Sequence, residues 1–264
     1  MENAREQEER LTGGNVSSVF KVGDTVRRET KPGSDKVHRL LRHLEAKGLT
    51  TVPRFLGVDE QGREMLSFVA GEAGDYPLKD YMWSDEVLVE AAAMLRQYHD
   101  AVSDFPLTGW EAMPETPEPL EVICHNDFAV YNVIFDQERP VGVIDFDMAA
   151  PGPRLWDVAY TLYTFAPLSR LYHSETGETI HYEAMRDAER IKRRVRLFLE
   201  TYGKPGQERE LFEMVVLRVA ALSGTIRRKA SEGDVAFQKM LDEGHADHYD
   251  TDVRFIQAHK KEWV

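Results

Sequence analysis

The stretch Ile123–Asp157, ICHNDFAVYNVIFDQERPVGVIDFDMAAPGPRLWD, constrains this chain most, because polar residues interrupt its apolar runs at positions that burial alone would not select. Val133 to Phe135 and Val141 to Ile144 read as the arms of a hairpin joined by Asp136 to Pro140. Counting outward from that turn sets Phe135 opposite Val141, Val133 opposite Val143 and Asn132 opposite Ile144. Asn132 and Asp145 then meet at the open end. An amide oxygen and a carboxylate converging there form a site for a hard, oxygen-preferring cation, and Mg2+ commonly takes one or two such ligands together with phosphate oxygens. Asp127 lies on the loop leading into the same strand, beside that site, and is the natural proton acceptor.

The chain of 264 residues is long enough for one large core or for two lobes around a cleft. Its net charge of −13 repels nucleic-acid phosphate and anionic lipid, so neither nucleic acid nor membrane is an expected partner. The single cysteine, Cys124, allows no intramolecular disulfide and suits a reducing compartment. The charged N-terminus MENAREQEER lacks the apolar stretch of a signal peptide, and no window approaches the ~18 apolar residues of a membrane span, so a cytoplasmic location is expected. Asn15–Val22 and Thr25–Glu29 flank the turn pair Gly23-Asp24, which predicts a hairpin. Val37, Leu40, Leu41 and Leu44 recur at helical spacing and stop before Gly48, and Val52–Val58 and Glu64–Val69 read as two further strands. Residues 1–70 are therefore expected to form a small sheet with one helix. Gly71 to Met82 reads as a connector, and Ser84 as the cap of a helix whose apolar face runs from Val87 to Val102. With helices over Glu183–Tyr202 and Glu208–Ala230, residues 71–264 are expected to be mostly helical.

His125, Asp127 and Asn132 read as H-x-D-x-x-x-x-N, which resembles the catalytic loop of protein kinases. With Asn126 between them, the loop is more similar to that of the aminoglycoside phosphotransferase and choline kinase-like family, in its bacterial phosphotransferase branch, although relatives usually carry glycine at that point. IDFDMA around Asp145 resembles the family's I-D-[WF]-x-x-A, and Asp157 in LWDVAY resembles its next aspartate. The resemblance implies an α+β, protein kinase-like two-lobed fold: a small N-terminal antiparallel sheet with one helix that binds nucleotide, and a larger, mostly helical C-terminal lobe. It implies that Asp127 orients or deprotonates an acceptor hydroxyl, that His125 supports the loop, that Asn132 and Asp145 hold Mg2+ on the phosphates of ATP or GTP, and that Asp157 steadies the loop. It also makes Thr12–Ser18, with Gly13, Gly14, Ser17 and Ser18, the loop over the phosphates, and adds Phe68 to the nucleotide contacts.

Pairing outward from Gly23-Asp24 places Arg27 on one face with Phe20 and Val22 and turns Arg28 to the opposite face. By the resemblance, Arg27 looks like the replacement for the lysine that protein kinases carry on this strand. Asp147, sharing a strand face with Asp145, is a candidate second metal ligand or a solvent-facing carboxylate. Relatives pair the strand cation with a glutamate on the following helix, but Val37 and His38 stand near that place, leaving Asp35 or Glu45 as substitutes. Cys124 reads as a small buried residue rather than a nucleophile. The His245, Asp247, His248, Asp250 group reads as polar residues near a tail that face water rather than a metal site. The expected activity is transfer of the terminal phosphate of ATP, with Mg2+, to a hydroxyl of a small molecule. Acidic residues of the second lobe, among them Glu175, Glu178, Asp187, Asp247 and Asp250, point to a cationic acceptor of the aminoglycoside or amino-alcohol kind. The missing helix glutamate and the Arg27 replacement motivate the alternative, a nucleotide-binding pseudokinase with a regulatory role, against which the intact Asp127 argues, and a metal-dependent hydrolase ranks last for want of ligands.

Overall fold

Gly23, at φ 57°, reverses the chain together with Asp24, and this turn organises the N-terminal sheet. The computed structural model describes residues 8–11 and 19–264. The strands are β1 (Glu9–Leu11), β2 (Val19–Val22), β3 (Thr25–Glu29), β4 (Phe55–Val58) and β5 (Arg63–Ser67). They form an antiparallel sheet in the order β1-β2-β3-β5-β4. Val22 pairs with Thr25 and Phe20 with Arg27, the register that the turn dictates. The Asn15–Ser18 part of the expected hairpin lies outside the described residues. Helix α1 (Ser34–Ala46) buries Val37, Leu40, Leu41 and Leu44 and is followed by Gly48 at φ 75°.

The chain then leaves the sheet through β6 (Glu72–Ala73), which was expected only as connector. This short strand adds to the hairpin that carries the polar motif, formed by β8 (Val133–Asp136) and β9 (Arg139–Val143), giving the order β6-β8-β9. Gly74 permits the approach, since a Cβ there would stand 2.3 Å from the Val130 carbonyl oxygen. Between these strands lie α2 (Asp85–Ala101), capped by Ser84 Oγ accepting from the Val87 N–H at 3.1 Å, and β7 (Val122–Cys124). Val133 pairs with Val143 and the Ile144 N–H donates to the Asn132 carbonyl, as counted. The far end differs. A bulge between Ile134 and Phe135 shifts Phe135 to Pro140, not Val141, because Gln137 and Glu138 both take positive φ in a two-residue turn tighter than the loop expected.

Strand β10 (Ala150–Gly152) pairs antiparallel with β7, Ala150 opposite Cys124, and so joins the entry of the His125 loop to the exit of the Asp145 loop. Helix α3 (Arg154–Phe165) follows. It is buried along nearly its whole length. A small hairpin of β11 (Leu171–His173) and β12 (Thr179–His181), not anticipated in the sequence, precedes α4 (Ala184–Tyr202), α5 (Glu208–Ser231), α6 (Val235–Asp242) and α7 (His245–His259). The core runs through α2, α3, α4 and α5 and is closed by Trp263. Among the described residues, no helix is long and apolar enough to cross a membrane.

Candidate active site

The loop between β7 and β8 is fixed from below by one carboxylate. Asp157, in the first turn of α3 and fully buried, accepts the His125 N–H at 2.6 Å and the Asn126 N–H at 2.7 Å. His99 of α2 donates to the same carboxylate at 3.1 Å and meets the Tyr202 hydroxyl at 2.6 Å through its other nitrogen. Burial alone would raise the Asp157 pKa, but His99, His125 and the Asn126 N–H hold it below the usual carboxylate value. The ligand atoms of His99, Cys124 and Asp157 lie within 4.8 Å of one another, yet Asp157 is already engaged three times, so the group acts as a clamp rather than a metal site.

Above the clamp, His125 is buried and its pKa is pushed down, chiefly by burial. Its Nε2–H donates to the Ile144 carbonyl at 3.1 Å and its Nδ1 accepts the Asp127 N–H at 3.2 Å, which links the two loops and leaves the imidazole neutral. Asn126 takes φ 62°, the left-handed conformation that glycine adopts most readily. Its side chain adds what glycine lacks: Nδ2 donates to the Met148 and Ala150 carbonyls at 3.1 and 3.3 Å. Arg218 of α5, buried against the rings of Tyr160 (4.6 Å) and Trp156 (5.2 Å), donates to the Asn126 carbonyl. Nothing in the local motif foretold Arg218, which lies 92 residues away.

Asp127 sits at the end of a phenol chain. Its Oδ1 accepts from the Tyr131 hydroxyl at 2.6 Å, and that hydroxyl meets Tyr160 Oη at 2.7 Å. Its Oδ2 accepts from Asn132 Nδ2 at 2.8 Å, an amide that also donates to the Asp127 carbonyl at 2.9 Å. Burial pushes the Asp127 carboxyl up to about 7 against the opposing effect of the Tyr131 and Asn132 hydrogen bonds, and the neighbouring Asp145 charge adds to the rise. With Nδ2 committed to Asp127, the Asn132 amide oxygen accepts no hydrogen bond among the described residues. Asp145, held at φ 65° and half-exposed, supplies a carboxylate one residue beyond the Ile144–Asn132 bond. This pair of hard oxygen donors fits Mg2+.

The structure redistributes the remaining expected residues. Phe146–Met148 is a 3-10 turn and not a strand, so Asp147 shares no strand face with Asp145. Its Oδ1 accepts from Arg28 at 2.6 Å and its Oδ2 from Lys31 at 2.5 Å, which makes it a counter-ion for the N-terminal sheet. Arg28, not Arg27, faces the acidic residues. It pairs with Glu64 and Asp147 and reaches Asp145 at 3.5 Å. Arg27 lies on the other face of β3, opposite Phe20 and Met65. The face choice failed because turn counting fixes the register of a hairpin without saying which face the following helix covers. Asp35 and Glu45 face Arg39 and Arg54 at 3.8 Å, and the buried carboxylate paired with Arg28 is Glu64 on β5. Phe68 donates its N–H to the Asp24 carbonyl at 2.9 Å and carries Lys21 Nζ 4.5 Å above its ring. Gly13, Gly14, Ser17 and Ser18 lie outside the described residues.

Several acidic residues of the second lobe are already paired: Asp187 with Arg186 and Arg190, Asp247 and Asp250 with Arg227, and Asp252 with Arg170. Cys124 is fully buried, donates weakly to the Pro153 carbonyl at 3.4 Å, and has its thiol pKa pushed well up by burial. It should therefore resist alkylation by iodoacetamide at pH 8 in the folded protein and react fully in guanidinium, as thiol titration will show.

Residues 109–198 match the phosphotransferase enzyme family. The chain is 33% identical over 207 residues, 75% of each chain, to the trifolitoxin immunity protein of Rhizobium leguminosarum bv. trifolii. Its structure is similar to that of a choline/ethanolamine kinase family protein from Mesorhizobium loti, with a TM-score of 0.61 and 16% identity over 97% of this chain and 92% of that one. It is similar also to aminoglycoside 2′-phosphotransferase-IIIa in its GDP complex, with a TM-score of 0.63 and 15% identity over 95% and 93% of the two chains. At such identities the likeness is one of fold, and it bears out the kinase-like arrangement of a small antiparallel sheet beside a helical region.

Proposed function

The chain belongs to the phosphotransferase enzyme family, and we propose that it transfers the terminal phosphate of ATP, bound with Mg2+, to a hydroxyl of a small molecule. The observation that carries this reading is the convergence of Asp127, Asn132 and Asp145 on two loops that Asp157, His125 and Asn126 tie together. Asn132 and Asp145 would hold the metal, which would supply charge neutralisation on the transferring phosphate. Asp127, with one oxygen set by Tyr131 and the other by Asn132, orients the acceptor hydroxyl and receives its proton. Arg28 carries the strand cation's role toward phosphate. A loose transition state asks for little beyond such positioning and neutralisation.

GTP remains beside ATP as donor, since a protein of similar fold is known in its GDP complex. Asp187, Asp247 and Asp250, among the second-lobe carboxylates that pointed to a cationic acceptor, are paired with arginines, so acceptor screens should include neutral alcohols beside amino-alcohols and aminoglycosides. The 33% identical relative, a trifolitoxin immunity protein, adds toxins to that list. The pseudokinase alternative stood on a missing glutamate, and Glu64 now supplies a carboxylate to Arg28.

Calorimetric titration with ATP and with GTP, each with and without Mg2+, tests the site without knowledge of the acceptor. Mg2+-dependent binding is expected, and Asp145→Asn should weaken it by about tenfold or more, because one of two protein ligands loses its charge. Equal affinity in the variant would remove the metal from this hairpin.

A further inference from the structure

Glu64 is a carboxylate at 1% exposure within a strand, flanked on its own face by core residues such as Leu66. Burying a charge there is costly, and for stability alone an apolar side chain of similar volume would serve as well or better. Its two oxygens are divided between two partners. Oε1 accepts from Arg28 Nε, and Oε2 accepts from His38 Nε2 at 2.5 Å. His38 lies on α1, and its ring stacks on Phe55 with centroids 3.8 Å apart and planes 18° from parallel.

The consequence appears at the other end of the guanidinium. With Nε committed to Glu64 and Nη2 to Asp147 at 2.6 Å, Nη1 is aimed at Asp145 but stands 3.5 Å from it, the loosest of the three contacts. Nη1 is thus the arm left to donate to a phosphate oxygen beside Asp145, while the other two contacts hold the planar group in place. We infer that Glu64 and His38 are positioning residues that fix Arg28 for nucleotide phosphate from within the sheet, in place of an acidic residue on α1. The inference rests on the phosphotransferase reading above.

The test compares wild type, Glu64→Gln, His38→Phe and the double variant Glu64→Gln with His38→Glu, measuring binding of ATP with Mg2+, steady-state constants and Tm. Glu64→Gln should raise the nucleotide Kd and KM about tenfold with kcat within about threefold, because an uncharged amide holds a guanidinium poorly. His38→Phe keeps the stacking on Phe55 and should raise the nucleotide KM about threefold, in line with loss of one hydrogen bond to a charged group. The double variant, which returns a carboxylate to the helix, should regain a measurable part of the affinity lost in Glu64→Gln. A purely structural pair would lower Tm and leave the nucleotide constants unmoved, and that result overturns the inference. Should Glu64→Gln not fold, His38→Phe decides on the same readout. Absence of nucleotide binding in the wild type would instead defeat the phosphotransferase reading itself, and this inference with it.

Discussion

Asp127→Asn is expected to lower kcat by about 10^2- to 10^4-fold, the range for loss of a positioned general base, while leaving the affinity for ATP with Mg2+ within about threefold of wild type. The argument rests on what the two oxygens of Asp127 already do. Tyr131 occupies a lone pair on one and Asn132 a lone pair on the other, so the carboxylate is oriented before any substrate arrives. Because burial raises its pKa to about 7, the base is about half-protonated in neutral buffer. The acceptor kcat/KM of the wild type should therefore rise with pH through about 7, as the carboxyl loses its proton, and the residual activity of Asp127→Asn should lack that limb. A pH–rate profile checks this. A limb unchanged in the variant would assign the titration to another group, and unchanged kcat would remove Asp127 from the reaction.

The same residue shows why the site was readable before the fold. A base, an amide and a second carboxylate interrupt apolar strands, and hairpin counting brings Asn132 to Ile144 without further knowledge, as the Ile144–Asn132 bond bears out. What counting cannot supply is the side from which a strand is covered. Arg27 and Arg28 differ by one residue and so by one face, and only the packing of α1 on the sheet decides which of them meets Asp145. Glu64 was invisible for a similar reason. In a strand that alternates, a lone glutamate reads as solvent-facing until its burial and its partners on β3 and α1 are known. Tyr160 and Arg218 come from α3 and α5, distant in sequence, and carry no local pattern.

Asp157→Asn should cost the fold more than any other single substitution at the site. The carboxylate has no exposed surface and accepts three hydrogen bonds, from two successive backbone N–H groups and from His99. An asparagine of the same shape turns one acceptor into an NH2 group facing donors, which leaves buried polar groups unpaired at a cost of about 3–5 kcal/mol. For a domain of this size that corresponds to a fall in Tm of about 10 °C. The pH dependence carries a definite sign. The folded-state pKa of Asp157 lies below its ordinary value of 3.8, so its contribution is fully present above that pH and is lost as pH falls through the lower, folded value. The gap in Tm between wild type and variant should hold from neutral pH to about 5 and narrow below 3.8. A gap independent of pH across that window would mean that the hydrogen bonds do not depend on the charge. Activity should fall with stability, because the two N–H groups that Asp157 holds belong to His125 and Asn126, the residues that carry Asp127 and join its loop to that of Asp145.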